Sequence, residues 1–144
     1  MHRMMRQEAQ SIPMREETKV FLEMVAKKRS ERILKDAPGA EVKLAMDDSR
    51  LRCALQVFKD GELEHLEFIE SESTAGQVKY FGDYIDVARK MGSLVLLFPE
   101  SKYTRDMASA IYQGIMKEVR ARSEREVSFQ GFVFDDRGNL KKVS

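Results

Sequence analysis

The carboxylates best placed for chemistry in this chain are Asp47, Glu70 and Glu72. Glu70 and Glu72 lie in the stretch FIESEST, Phe68 to Thr74, where a run that reads as a strand gives way to turn residues. Asp47 follows the strand candidate EVKLAM. Three carboxylates converging at a sheet end are hard oxygen ligands suited to Mg²⁺ or Mn²⁺. A metal held there activates water for phosphodiester cleavage. On this reading Asp47 (or Asp48), Glu70 and Glu72 are both metal ligands and catalytic groups. Lys43 or Lys79 then supplies a positive charge, and Glu17 or Glu23 of the first helix assists the metal. Mg²⁺ or Mn²⁺ is implied only on that reading. The same residues also read as a solvated strand end, because Asp60 to Glu72 carries six acidic residues and no basic one. If that is their role, Glu70→Ala and Glu72→Ala change little.

Other reactive groups are few. Cys53 is the single cysteine, and the two histidines are His2 and His65. That inventory supports no zinc site. No glycine-rich phosphate loop is present. Basic residues gather at two helix ends: Lys27, Lys28, Arg29 and Arg32 in the first helix, and Lys117, Arg120, Arg122 and Arg125 at the end of the third. Cations suit helix C termini. Side by side, the two ends would form a positive patch able to hold phosphates of a nucleic acid. An acidic hairpin and basic helix ends on one chain also favour self-association, so a homo-oligomer is expected.

The elements that must position these groups follow from periodicity. Phe21, Met24 and Val25, with Ile33 and Leu34, predict a helix from Pro13 to Asp36, stopped by Ala37–Gly39. Glu41–Met46, Leu51–Phe58 and Leu63–Glu70 read as strands, and Asp60-Gly61 joins the last two as a hairpin. Thr74-x-x-Gln77 reads as a capping box opening a helix with the stripe Val78, Phe81, Ile85 and Ala88, widened by Tyr84 and Met91, which ends at Gly92. SLVLLFP is apolar throughout and predicts a central strand covered on both faces. Thr104 caps the next helix, with stripe Met107, Ala110, Ile111, Ile115 and Val119. Glu126–Phe134 alternates as a strand, and Leu140–Val143 adds an edge.

A two-residue turn at Asp60-Gly61 sets a register in which Lys59 faces Glu62, Val57 faces Glu64, Leu55 faces Leu66 and Cys53 faces Phe68. Continued, it puts Glu70 opposite Leu51 and Glu72 opposite Ser49, with Asp47 on their face. A bulge near residues 47 to 50 would exchange Asp47 for Asp48. His65, Glu67 and Ile69 then share a mixed face with Arg52, and Cys53 lies on the opposite face from His65. That excludes a thiol–imidazole pair and leaves Cys53 as a core residue.

At 144 residues, with 42% hydrophobic and 34% charged residues, the chain fits one domain. The expected organisation is a frayed tail over residues 1–12 and a single α/β domain over 13–144. The net charge of +1 argues for no particular partner. A lone cysteine suits a reducing compartment, and the first residues lack the apolar core of a secretory signal, so a cytoplasmic location is expected. No apolar run approaches the length of a membrane span.

The element order, the stretch IESES, and the helix QVKYFGDYIDVARK followed by SLVLLFP resemble the restriction-endonuclease-like superfamily, also called PD-(D/E)xK nucleases, over about Glu16 to Pro99. The resemblance implies a central mixed sheet flanked by helices, in the order α-β-β-β-α-β-α-β(-β). It also implies an Asp in the strand before the hairpin turn and Asp/Glu-x-Lys in the next. Leu51–Phe58 holds no Asp, and Glu70-Ser71-Glu72 has Glu where Lys is expected; the alternative placement, Glu67-Phe68-Ile69, has Ile. The expected function is therefore a catalytically silent nuclease-like module that binds nucleic acid or a protein partner. The alternative is a divalent-metal nuclease acting through Asp47, Glu70 and Glu72.

Overall fold

The computed structural model describes residues 12–144. Helix α1 (Ile12–Asp36) leads into a meander of β1 (Glu41–Asp47), β2 (Arg52–Lys59) and β3 (Glu62–Ile69). A 3-10 turn (Val78–Tyr80) and α2 (Phe81–Met91) carry the chain to β4 (Ser93–Pro99). Helix α3 (Arg105–Ser123) then carries it to β5 (Ser128–Phe134) and the short β6 (Leu140–Lys142). The six strands form one sheet in sequential order. β3, β4 and β5 run parallel, and the other neighbours pair antiparallel. The chain is α/β, a mixed sheet flanked by helices, in the order its sequence predicts. The tail expected over residues 1–12 lies outside the described residues, apart from Ile12, which is already helical.

Both parallel connections step the same way along the sheet, so one handedness puts α2 and α3 on the same face. Helix α1 covers the other face. β4 alternates between the two: Leu94, Leu96 and Phe98 pack with Tyr84, Ile85 and Tyr112, whereas Val95 and Leu97 pack with Leu22 and Val25 of α1. This is why SLVLLFP is apolar at nearly every position.

Three local predictions are corrected. The α3 stripe is Ala108, Tyr112, Ile115 and Val119, with Met107 half exposed. Tyr112 sets that rotation. Its ring lies where a Cβ at Gly131 of β5 would be, and its hydroxyl donates to the Phe132 carbonyl at 2.7 Å. The capping box at Thr74 does not form. Thr74 Oγ1 accepts from the Ser71 amide at 2.8 Å instead, closing a turn whose Gly76 sits at φ +77°, and α2 proper starts only at Phe81. Val78 is accordingly 75% exposed. Thr104 does cap α3, accepting from the Met107 amide, and Gly92 ends α2 in the left-handed region.

The third correction is the hairpin register. Asp60 and Gly61 have φ of +53° and +82°, as a two-residue turn requires. Lys59 pairs with Glu62 and Phe58 with Leu63, but a bulge then leaves Glu64 unpaired, and Val57 pairs with His65, Leu55 with Glu67 and Cys53 with Ile69. Beyond the bulge every β3 side chain changes face. His65, Glu67 and Ile69 turn toward α1, while Phe68 and Glu70 turn toward α2.

Candidate functional site

The strand end that was expected to hold a metal is built around an arginine. Glu70 follows β3, and its amide continues the parallel ladder by donating to the Leu97 carbonyl at 2.9 Å. Its side chain is fully buried. Arg52, at the start of β2, donates to both carboxylate oxygens, from Nε at 2.8 Å and from NH2 at 2.5 Å. The Tyr84 hydroxyl of α2 donates to Oε2 at 2.5 Å. Arg52 NH1 reaches Asp83 at 2.8 Å, and the guanidinium lies 3.9 Å from the Tyr80 ring centroid. Burial pushes the Arg52 pKa down, but Glu70 and Asp83 outweigh it and raise the pKa overall. Burial and the Glu70 charge together raise the Tyr84 phenol well above its usual value. Every buried side-chain donor and acceptor atom here has a partner.

A second buried carboxylate lies on the opposite face. Glu67 accepts from Arg29 of α1 at 2.7 and 2.9 Å and is 2.7 Å from His65 Nε2. His65 Nδ1 is 3.4 Å from Ser93 Oγ. Burial pushes the Glu67 carboxyl up, but the hydrogen bonds from His65 and Arg29 prevail and hold it below the usual carboxylate range. An ionised Glu67 requires the proton on Nε2 of His65.

Cys53 and His65 therefore share a face, contrary to the unbulged register. They are kept apart along the ladder: Cys53 sits opposite Ile69 and His65 opposite Val57, four positions away, or roughly 13 Å. Cys53 is buried, and burial, followed by the charges of Glu70 and Glu23, pushes its thiol up to about 12.

The three expected metal ligands are not brought together. Asp47 closes the β1–β2 turn, accepting from Ser49 Oγ at 2.9 Å and the Arg50 amide at 3.1 Å. The Ser49 bond outweighs burial and lowers its pKa. Asp48 pairs with Lys19 at 3.3 Å. Lys43 lies over the Phe58 ring and Lys79 over Tyr80, and Glu17 and Glu23 of α1 are exposed. Among the described residues no three His, Cys, Asp or Glu side chains stand close enough to hold a metal ion. The stretch is not a solvated strand end either, since Glu67 and Glu70 are both 0% exposed. Glu72, like Asp60, Glu62 and Glu64, is exposed, and it lines a cleft of about 280 Å³ at the carboxyl ends of β3, β4 and β5.

The expected basic patch also divides. α1 and α3 lie on opposite faces of the sheet, so their C termini do not meet. Arg29 is committed to Glu67, Lys28 donates to the Arg137 carbonyl at 2.7 Å, and Arg32 pairs with Asp36. The α3 end meets the end of α2 instead. Arg89 donates to the Arg122 carbonyl at 3.0 Å, and Arg125 donates to the Arg89 carbonyl at 2.9 Å. Lys90, Lys117, Arg120 and Arg122 are exposed on the same two helices; Arg122 pairs with Glu118 at 3.7 Å and Arg120 donates to the Val127 carbonyl at 3.4 Å. The sequence signal of this meeting of helix ends was ARKMG, a second helix C terminus as basic as the other two. Arg52 and Tyr84 carried no comparable motif. No helix among the described residues is long and apolar enough to cross a membrane.

No family model, curated protein or solved structure matches this chain.

Proposed function

We propose that this chain is a nuclease-like domain without metal catalysis, which binds the phosphate backbone of a nucleic acid through the adjoining C termini of α2 and α3. One observation carries the non-catalytic part: both oxygens of Glu70, the expected metal ligand, are turned onto the Arg52 guanidinium. A guanidinium satisfies a carboxylate as a cation would, but it activates no water. The element order and the parallel β3–β4 pairing support the nuclease-like part. The binding part rests on two parallel helix ends that present arginines and lysines to solvent, an arrangement suited to phosphate contacts.

The test pairs two measurements. Calorimetric Mn²⁺ titration is expected to show no saturable binding, and a labelled DNA duplex incubated with the protein and Mn²⁺ is expected to stay intact. Fluorescence anisotropy on that duplex should show salt-dependent binding. Lys90→Ala/Lys117→Ala/Arg122→Ala, all at exposed positions, should weaken it about tenfold or more and lower the salt slope by about 0.9 for each phosphate no longer neutralised. Saturable Mn²⁺ binding with strand cleavage would establish the alternative, a divalent-metal nuclease. Binding unchanged in the triple variant would remove the proposed surface. The exposed acids of the hairpin and these basic ends also suit pairing between two copies, which light scattering over a dilution and salt series reads directly.

A further inference from the structure

The cleft at Glu72 is independent of the basic helix ends and has a chemistry of its own. It opens at the carboxyl ends of three adjacent parallel strands. Its floor is apolar: Phe21 and Leu22 of α1, Pro99, and Phe134, whose ring centroid is 5.7 Å from that of Phe21. Hydroxyls stand along the wall at Thr18, Ser71, Ser73 and Ser101. Two of them are held in place, since Ser71 Oγ is 3.0 Å from Ser73 Oγ and 3.3 Å from Thr74 Oγ1.

Charge decides what such a cleft would take. Glu72 is the carboxylate of the main cavity, and an adjoining lobe of about 310 Å³ adds Asp135 and Asp136. No lysine or arginine is among the described residues lining either lobe. Glu67 and Glu70 each hold an arginine, whereas Glu72 has no hydrogen-bond or ion-pair partner among the described residues. An apolar floor, a hydroxyl wall and an uncompensated carboxylate at the mouth match a ligand with a small apolar body and one ammonium group. A cavity of about 280 Å³ lies at the lower end of small-molecule sites, so that body is about one ring in size.

We infer that this cleft binds a small organic amine, with the ammonium on Glu72, its remaining N–H groups on the serine hydroxyls, and the apolar body on Phe21 and Phe134. Phenethylamine is a suitable probe and 2-phenylethanol its uncharged counterpart. Backbone amide NMR on the full chain should show saturable shifts on phenethylamine addition, confined to residues around Thr18, Phe21, Ser73, Ser101 and Phe134. The neutral analogue should bind roughly fivefold more weakly, and Glu72→Gln should weaken the amine by roughly two- to fivefold. Glu62→Gln, at an exposed acid of the hairpin, should leave binding unchanged. Mn²⁺ alone should not displace the amine. No localised shifts, equal binding of the neutral analogue, an unaffected Glu72→Gln variant, or competition by Mn²⁺ would each overturn the assignment.

Discussion

Glu67 and Glu70 lie three positions apart on the same strand and its extension, and each grips an arginine with both carboxylate oxygens. The two pairs differ in what they join and in their third partner. Arg52–Glu70 links neighbouring strands beneath α2 and is completed by a phenol, Tyr84, which does not titrate near neutrality. Arg29–Glu67 ties α1 to the sheet across a layer and is completed by the His65 imidazole. The first pair is locked within one face of the sheet, and the second fastens a helix to the other face. Bidentate geometry alone does not tell the two apart; the element each arginine belongs to does.

The largest expected effect comes from breaking the locked pair. Glu70→Ala leaves the buried Arg52 with only the half-exposed Asp83 as an acidic partner and should lower stability by about 3 kcal/mol in urea unfolding. This replaces the expectation that the change is nearly silent. Arg52→Met/Glu70→Leu should restore most of the loss, since a well-packed apolar pair avoids both desolvation costs. Glu67→Ala should cost slightly less, about 2 kcal/mol, because Arg29 is a little more exposed than Arg52, 12% against 8%. Equal losses in the two variants would erase the distinction drawn between the pairs.

Tyr84→Phe removes a hydrogen bond to a charged acceptor and should cost about 1.5 kcal/mol, read by the same unfolding curves. The smallest effect is pH-dependent. The folded-state pKa of Glu67 lies below its ordinary value of 4.5, so the unfolded chain binds more protons in that window. The stabilisation is therefore complete above the unfolded value and is lost as pH falls through the folded one. Urea midpoints should decline on acidification below that value, and Glu67→Gln should decline less steeply. Matching slopes would show that Glu67 contributes no pH dependence.

Much of the fold was legible because its signals are local. The continuous apolar run of β4, the Asp60-Gly61 turn, the Thr104 cap and the Gly92 stop each act within a few residues, and each appears where the sequence put it. The site was not legible, because its partners are set by tertiary placement. Arg52 meets Asp83 from 31 residues away, and Arg29 meets Glu67 from 38. Charge count made Glu67 and Glu70 look solvated, since acidic residues do not reveal a buried arginine from another element. The helix stripes slipped for a related reason. Which flank of α3 faces the sheet was decided by Gly131, a small residue on a strand not yet reached along the chain.

The unpaired Glu64 gives the hairpin a history and a kinetics. Near the turn β2 and β3 pair in one register, and beyond Val57 they pair in another. A hairpin zipping outward from Asp60-Gly61 therefore first meets a frame in which Glu67 points to the wrong side, and it must step by one residue before the core can close. That competing frame is a local frustration in an otherwise consistent fold. Glu64 reads as an inserted residue: deleting it would let Leu63 and His65 follow one another opposite Phe58 and Val57 with no step. Such a one-residue deletion should fold faster and keep both buried glutamates in place. Deleting Leu66, one residue short of Glu67, would instead exchange the inner and outer faces of the strand preceding it.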